Sequence, residues 1–221
     1  MARLIFIDTA NIEEIKLWKE RGICDGVTTN QKLFLTEKGV DFKKTILQMC
    51  NLTKVPVSVE LTGHESVEKM VKEAKIYAAW SKYAVVKVPM TPDGMGLAVL
   101  SKLKSLKIKT NATLMMSFEQ MFLAITAGAT YASIFYNRAK DCGYDPEEII
   151  RRTRSFIDEG GYRSQIITGS IRNIRDVGNA FAAGSDIVTV PPKILDAMLH
   201  EEMTQKTMEE FDAAWESFRK K

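Results

Sequence analysis

The stretch "YAVVKVPM", residues 83–90, sets a lysine inside a run that otherwise has the composition of a buried strand. Val85, Val86 and Val88 are β-branched and apolar, as strands covered on both faces are. Lysine is almost never fully buried without a partner or a task, so Lys87 calls for one. Three similar runs precede this one, "RLIFID" (3–8), "ICDGVTT" (23–29) and "VPVSVE" (55–60). Four follow it, "KIKTNATL" (107–114), "TYASIF" (130–135), "SQIITGS" (164–170) and "DIVTVP" (186–191). Stretches of helical period lie between them, among them "NIEEIKLWKERG", "ESVEKMVKEAKIYAAW", "SFEQMFLAITAG", "PEEIIRRTRSFIDEGG" and "IRDVGNAFAAG". Eight strands alternating with helices predict an α/β fold of the (β/α)8 TIM-barrel kind. The competing arrangement, an open doubly wound sheet, lacks the Gly-rich phosphate loop it needs after the first strand.

No linker, low-complexity segment or change of composition divides the chain, so residues 1–221 are expected to form a single barrel domain. The tail, 203–221, is one helix more than a barrel requires. Its Phe211, Trp215 and Phe218 recur at i, i+4 and i+7, an apolar stripe that must pack on something.

With 45% hydrophobic residues and a net charge of +3, the chain has a core to bury and no cationic stripe for nucleic acid or membrane, because acids and bases are interspersed. The first acid, Asp8, comes too early for a signal peptide, and no apolar run approaches a membrane span. The 3 cysteines have no CxxC or ligand-like spacing and suit a reducing compartment. A cytoplasmic location is therefore expected. There is no HxH, HExxH or Cys/His pair to hold a metal, and no histidine accompanies the serines. His64 and His200 both read as surface residues.

Active sites of such barrels lie at the C-terminal ends of the strands. Those ends collect Asp8, Thr28 and Asn30, Glu60, Lys87, Asn111 and Thr113, Ser133, and Ser170. Helix capping explains many polar residues in such places, and it is accepted for Asn11, Thr91 and Ser117. It does not account for Lys87 and Glu60, which are poor caps within or at the end of apolar runs. Burial disfavours an ammonium and makes the free amine available as a nucleophile, and the reaction that uses such an amine is Schiff-base formation with a carbonyl. Cleaving a neighbouring C–C bond then needs a base to accept a hydroxyl proton, for which Asp8 and Glu60 are candidates. Amides such as Asn30 and Asn111 suit the hydroxyls of a polyol.

The segments "FIDTAN" (6–11), "DGVTTN" (25–30), "SVE" (58–60), "VVKVPMTPDG" (85–94), "KTNATL" (109–114), "GATYAS" (128–133), "GSIRN" (169–173) and "VPP" (190–192) resemble, in order and along essentially the whole chain, those of the transaldolases. Specifically they resemble the small subfamily that also contains fructose-6-phosphate aldolases. The resemblance implies a cofactor-free, metal-free class I aldol mechanism on a (β/α)8 barrel in the pentose phosphate pathway. A dihydroxyacetone unit would pass from fructose 6-phosphate or sedoheptulose 7-phosphate to an aldose phosphate. By the same resemblance Lys87 is the Schiff-base lysine, Asp8 handles the C4 hydroxyl proton, and Glu60 with Thr113 positions a water. Asn30 and Asn111 grip the dihydroxyacetone hydroxyls with Thr28 and Ser133 nearby, and Arg138, Ser170 and Arg172 take the phosphate. It also implies a homo-oligomer, a pentamer or decamer, with the C-terminal helix on a neighbouring subunit. The aldolase branch has Gln and Tyr where this chain has Glu60 and Phe135, which favours transfer over release of free dihydroxyacetone, the alternative. A non-catalytic sugar-phosphate-binding barrel would be expected to have lost Lys87, Asp8 or Glu60. The chain departs from the family at Gln31, where proline is usual, and at Tyr136 and Asn137 within "IFYNR" (134–138).

Overall fold

Alternation along a strand sends successive side chains to opposite faces, and in this chain that rule sorts each apolar run between two cores. The computed structural model describes residues 3–220; residues 1, 2 and 221, the ends of the expected domain and of the expected tail helix, lie outside the described residues. The first half runs β1 (Leu4–Asp8), α1 (Ile12–Glu20), β2 (Gly26–Thr28), α2 (Gln31–Thr36), α3 (Phe42–Thr53), β3 (Val57–Glu60), α4 (Val67–Trp80), β4 (Ala84–Pro89) and α5 (Met95–Ser105). The second runs β5 (Thr110–Met115), α6 (Phe118–Thr126), β6 (Tyr131–Phe135), α7 (Tyr136–Asp141), α8 (Pro146–Glu159), β7 (Gln165–Gly169), α9 (Ile174–Ala183), β8 (Ile187–Val190), α10 (Pro192–Leu199) and α11 (Glu202–Arg219). Strands pair in sequence order, and β8 returns to β1 in parallel register, with Phe6 opposite Thr189. The sheet is a closed (β/α)8 barrel, as the alternation of elements predicts.

Inside it, Phe6, Val85, Tyr131, Ile167 and Ile187 form a small buried cluster that plugs the barrel. Outside it, residues such as Ile7, Val86 and Val88 join a larger core with side chains of the surrounding helices, among them Trp18 and Leu100. Fully burying one such side chain contributes about 1.5–3 kcal/mol, which fixes the register of every strand, because a one-residue slip would exchange the two faces. Gly26 belongs to the same packing: a Cβ there would lie 2.4 Å from the Phe6 ring, so even alanine would push the plug aside.

The alternation also settles the geometry of Lys87. Val85 and Lys87 share the interior face of β4, while Val86 and Val88 face the helices. Where the interior cluster ends, the next inward position is polar.

Helix starts follow local chemistry. Asn11 caps α1, accepting from the amides of Glu13 and Glu14, and Ser117 opens α6 with a complete capping box to Gln120. Thr91 differs from expectation. The N-cap of α5 is Gly94, in a left-handed conformation with φ 78°, and Thr91 instead accepts from the Gly96 amide at 3.0 Å. The turn through Asp93 and Gly94 delays the helix by three residues. The tail forms α11 as expected, and its stripe is left open: Phe211, Trp215 and Phe218 are 70%, 58% and 67% exposed. Among the described residues no helix is long and apolar enough to cross a membrane.

Candidate active site

The C-terminal mouth of the barrel holds a cavity of about 150 Å³. Its lining follows from the strand period. Two residues beyond the plugging positions Phe6, Val85, Tyr131, Ile167 and Ile187 come Asp8, Lys87, Ser133, Gly169 and Thr189, and all five line the cavity. The rest of the lining is Thr28, Asn30, Asn111, Thr113, Phe135, Arg138 and Ser170.

Lys87 is 5% exposed, and Glu60, its register partner on β3, is 9% exposed. The ammonium donates to the Thr29 carbonyl at 3.0 Å, and a Glu60 carboxylate oxygen lies 2.9 Å from Nζ. Among the described residues, that Glu60 oxygen and the Thr113 hydroxyl both lack a hydrogen-bond partner. Buried polar groups of this kind are ordinarily satisfied by a water or a bound molecule. The partner that residue type demanded of Lys87 is therefore Glu60. A buried ion pair is weak as a source of stability and a common feature of sites with chemistry to perform.

Asp8 sits on the adjoining wall. Thr28 donates to it at 2.7 Å, and the Thr28 and Thr189 hydroxyls are 2.5 Å apart. Burial raises the Asp8 carboxyl above its ordinary value, against the opposing pull of the Lys87 charge and the Thr28 hydrogen bond, and the Glu60 charge adds to the rise. Two carboxylates therefore flank one ammonium in different settings.

Beside Lys87 on the neighbouring strand, Asn111 donates to Ser58 Oγ at 3.1 Å and accepts from Ser133 at 2.6 Å. Asn30 spends its side-chain oxygen as the cap of α2, accepting from Leu33 at 3.1 Å. Beyond Thr113, β5 carries a register shift and Leu114 takes a left-handed φ of 62°. A bulge with a strained residue is a recurrent way to re-aim strand-end side chains at a site.

The open side of the cavity is different. Arg138 is exposed and holds its guanidinium 5.5 Å from the Phe135 ring centroid. Ser170, just past β7, has a left-handed φ of 60° and its carbonyl accepts from Asn137 Nδ2 at 2.9 Å. The second hydrogen of that amide goes to Asp176 at 2.6 Å, and Asp176 also accepts from the backbone amides of Arg172 and Asn173 at 3.0 and 3.2 Å. Asn137 thus bolts the loop after β7 to the start of α7. Its neighbour Tyr136 is fully buried and turned to Glu147, donating at 2.9 Å, so it forms no part of the cavity wall. Gln31 donates to the Leu61 carbonyl at 3.1 Å, restraining by a hydrogen bond a loop that a proline would stiffen through φ.

The structure thus brings all the expected site residues to the cavity except two. Glu60 lies behind Lys87. Arg172 is turned outward onto Asp141, where its Nη1 donates at 2.9 Å. Gly169 and Thr189 are the lining residues that sequence reasoning missed, although the two-residue period on β7 and β8 points at both. Among the described residues no three His, Cys, Asp or Glu side chains gather as a metal site would require.

A buried lysine with a paired carboxylate, a second buried carboxylate and converging amides and hydroxyls define a barrel suited to imine chemistry on a polyhydroxylated carbonyl compound. Comparison with known proteins agrees. The Transaldolase/Fructose-6-phosphate aldolase family model matches residues 5–221. A probable transaldolase of Streptococcus agalactiae serotype V is 41% identical over 216 residues, covering 98% of this chain and 99% of that one. The probable transaldolase 2 of Listeria monocytogenes serovar 1/2a is 39% identical and a probable transaldolase of Kosmotoga olearia 40%, each match covering 98% of this chain and 97% of the relative. The chain belongs to the transaldolase/fructose-6-phosphate aldolase family.

Proposed function

We propose that this protein is a class I transaldolase of the pentose phosphate pathway that carries a dihydroxyacetone unit between sugar phosphates on Lys87. The observation that carries this reading is the buried Lys87, paired with Glu60 and sharing one small cavity with Asp8. Proton transfer from the ammonium to Glu60 or to a water frees the amine, which attacks C2 of the ketose. Loss of water leaves a protonated imine. Asp8 accepts the C4 hydroxyl proton as the C3–C4 bond breaks, the aldose leaves, and the electron pair moves into an enamine on Lys87. The acceptor aldehyde then takes the reverse path: the enamine attacks its carbonyl, Asp8 returns the proton, and water hydrolyses the new imine.

In this reading Glu60 and the unpartnered Thr113 hydroxyl hold the water that forms and ends the imine. Asn30, Asn111, Ser133 and Thr28 orient the dihydroxyacetone hydroxyls, Thr189 supports Asp8 through Thr28, and Arg138, Ser170 and Arg172 recognise the phosphate. Phe135 places no hydroxyl donor beside the enamine, which favours its survival until an acceptor arrives. No step requires a cofactor. A cytoplasmic location is supported by the free thiols of Cys24, Cys50 and Cys142, and the open stripe on α11 supports a single-domain subunit that assembles with copies of itself, which its mass in solution tests.

The deciding assay supplies fructose 6-phosphate with and without an acceptor aldose phosphate and measures free dihydroxyacetone and transfer product together. The wild type is expected to transfer far faster than it releases. Glu60→Gln keeps the shape and removes the charge and proton acceptor, and is expected to lower transfer and raise the released share. A wild type that releases dihydroxyacetone faster than it transfers would overturn the transferase reading.

A further inference from the structure

The outward turn of Arg172 has a specific cause. Asp141, the last residue of α7, accepts from both ends of its guanidinium, Oδ1 from Nη1 at 2.9 Å and Oδ2 from Nη2. That two-point geometry is also how a guanidinium holds a phosphate. Asp141 lies three residues after Arg138 on the same short helix, a spacing that puts both on one face. The hydrogen bond from Arg172, then the charges of Arg172 and Arg138, hold the Asp141 carboxyl below its usual range. One carboxylate thus holds one of the two arginines expected to take the substrate phosphate and lies within the field of the other.

The backbone beneath Arg172 is not free to move. Asp176 accepts from its amide, and Asn137 ties Asp176 to the Ser170 carbonyl. Ser170 lines the cavity, and Arg172 follows it by two residues, at most about 7 Å along the chain. With its Cα fixed beside the cavity, only the Arg172 side chain has to swing. Both partners are about half exposed, and exposed ion pairs are weak and readily exchanged.

We propose that Asp141 is a specificity-determining residue: its carboxylate occupies Arg172 as an internal stand-in for phosphate, and a phosphorylated sugar binds by displacing it. The inference rests on the phosphate reading of the two arginines. It adds that the site is self-occupied before substrate arrives, so anions too weak to displace a carboxylate are turned away.

The experiment compares wild type, Asp141→Asn, Arg172→Ala and the double variant at constant ionic strength. It measures kcat/KM for fructose 6-phosphate and for fructose, and the inhibition constant of inorganic phosphate. Asp141→Asn is expected to raise the preference for the phosphorylated donor and tighten inorganic phosphate, each by about two- to fivefold. That gain should shrink once Arg172 is absent. An Asp141→Asn variant with weaker or unaltered phosphate binding would overturn the displacement proposal, making Asp141 a buttress or a bystander. If Arg172→Ala bound fructose 6-phosphate as well as the wild type, the fault would lie instead in the phosphate reading of Arg172, a separate outcome.

Discussion

The floor of the cavity and its open rim are built on different principles. The floor, Asp8, Thr28, Lys87, Asn111 and Thr189, with Glu60 behind it, projects from strands of a closed barrel, and these residues bond to one another, to the backbone or to side chains of neighbouring strands. The rim, Arg138, Ser170 and Arg172, sits on a six-residue helix and a loop, and its guanidiniums reach solvent. Proton and bond rearrangements need groups held within a fraction of an ångström, which strands supply. Recognising a phosphate that arrives and leaves with each substrate needs charges able to exchange partners, which exposed side chains supply. Chemistry should therefore be lost steeply when the floor is altered, whereas changes at the rim should shift preference.

The sharpest way to break that contrast is Asp8→Asn. Losing a positioned proton acceptor costs about 10²- to 10⁴-fold in turnover, and transfer from fructose 6-phosphate should fall by that much with little change in KM. Because burial raises the Asp8 carboxyl, the acid limb of the wild-type pH profile should lie above the ordinary aspartate range, and Glu60→Gln should move it down. The same direction fixes a stability effect. A folded-state value above the unfolded one contributes stability at pH below the unfolded value, and this is lost as pH rises through the folded value. At neutral pH Asp8 thus costs stability, and Asp8→Asn should raise Tm while disabling the enzyme. A lower Tm would make Asp8 a structural residue.

A smaller effect is expected at the rim. Arg138→Ala removes a charge-assisted contact, for which about 1.5–3 kcal/mol corresponds to roughly 10- to 150-fold in kcat/KM. The loss should fall on KM for fructose 6-phosphate and far less on turnover of unphosphorylated fructose. Equal losses on both would move Arg138 from recognition to chemistry and erase the distinction between the two regions.

The same contrast describes what the sequence discloses. Strand periodicity is a local property, so all eight strands, the barrel and the inward-facing Asp8, Lys87, Asn111 and Ser133 can be read from it. Thr189 and Gly169 are equally legible by the two-residue step, two positions beyond Ile187 and Ile167. Glu60 was found as a site residue, yet its place behind Lys87 depends on the β3–β4 register, which no single run reveals. The rim was the hardest to read. That Arg172 turns to Asp141 and that Asn137 joins Ser170 to Asp176 are pairings between segments more than 30 residues apart, and Tyr136 is buried against Glu147 on the next helix, a tertiary contact that periodicity does not encode. Likewise Thr91 lost its expected cap position to a turn at Gly94 that hydrophobic pattern does not encode.

The proposed mechanism hangs on one covalent bond. Incubation with fructose 6-phosphate and borohydride, followed by peptide mapping, reads it directly. Reduction should convert the imine at Lys87, and at no other lysine, to a stable secondary amine bearing the ketose-derived carbon chain, with activity lost in step with labelling. Lys87→Met should neither label nor turn over. An adduct at a different lysine, or a Lys87→Met variant that still transfers, would contradict the account at its centre.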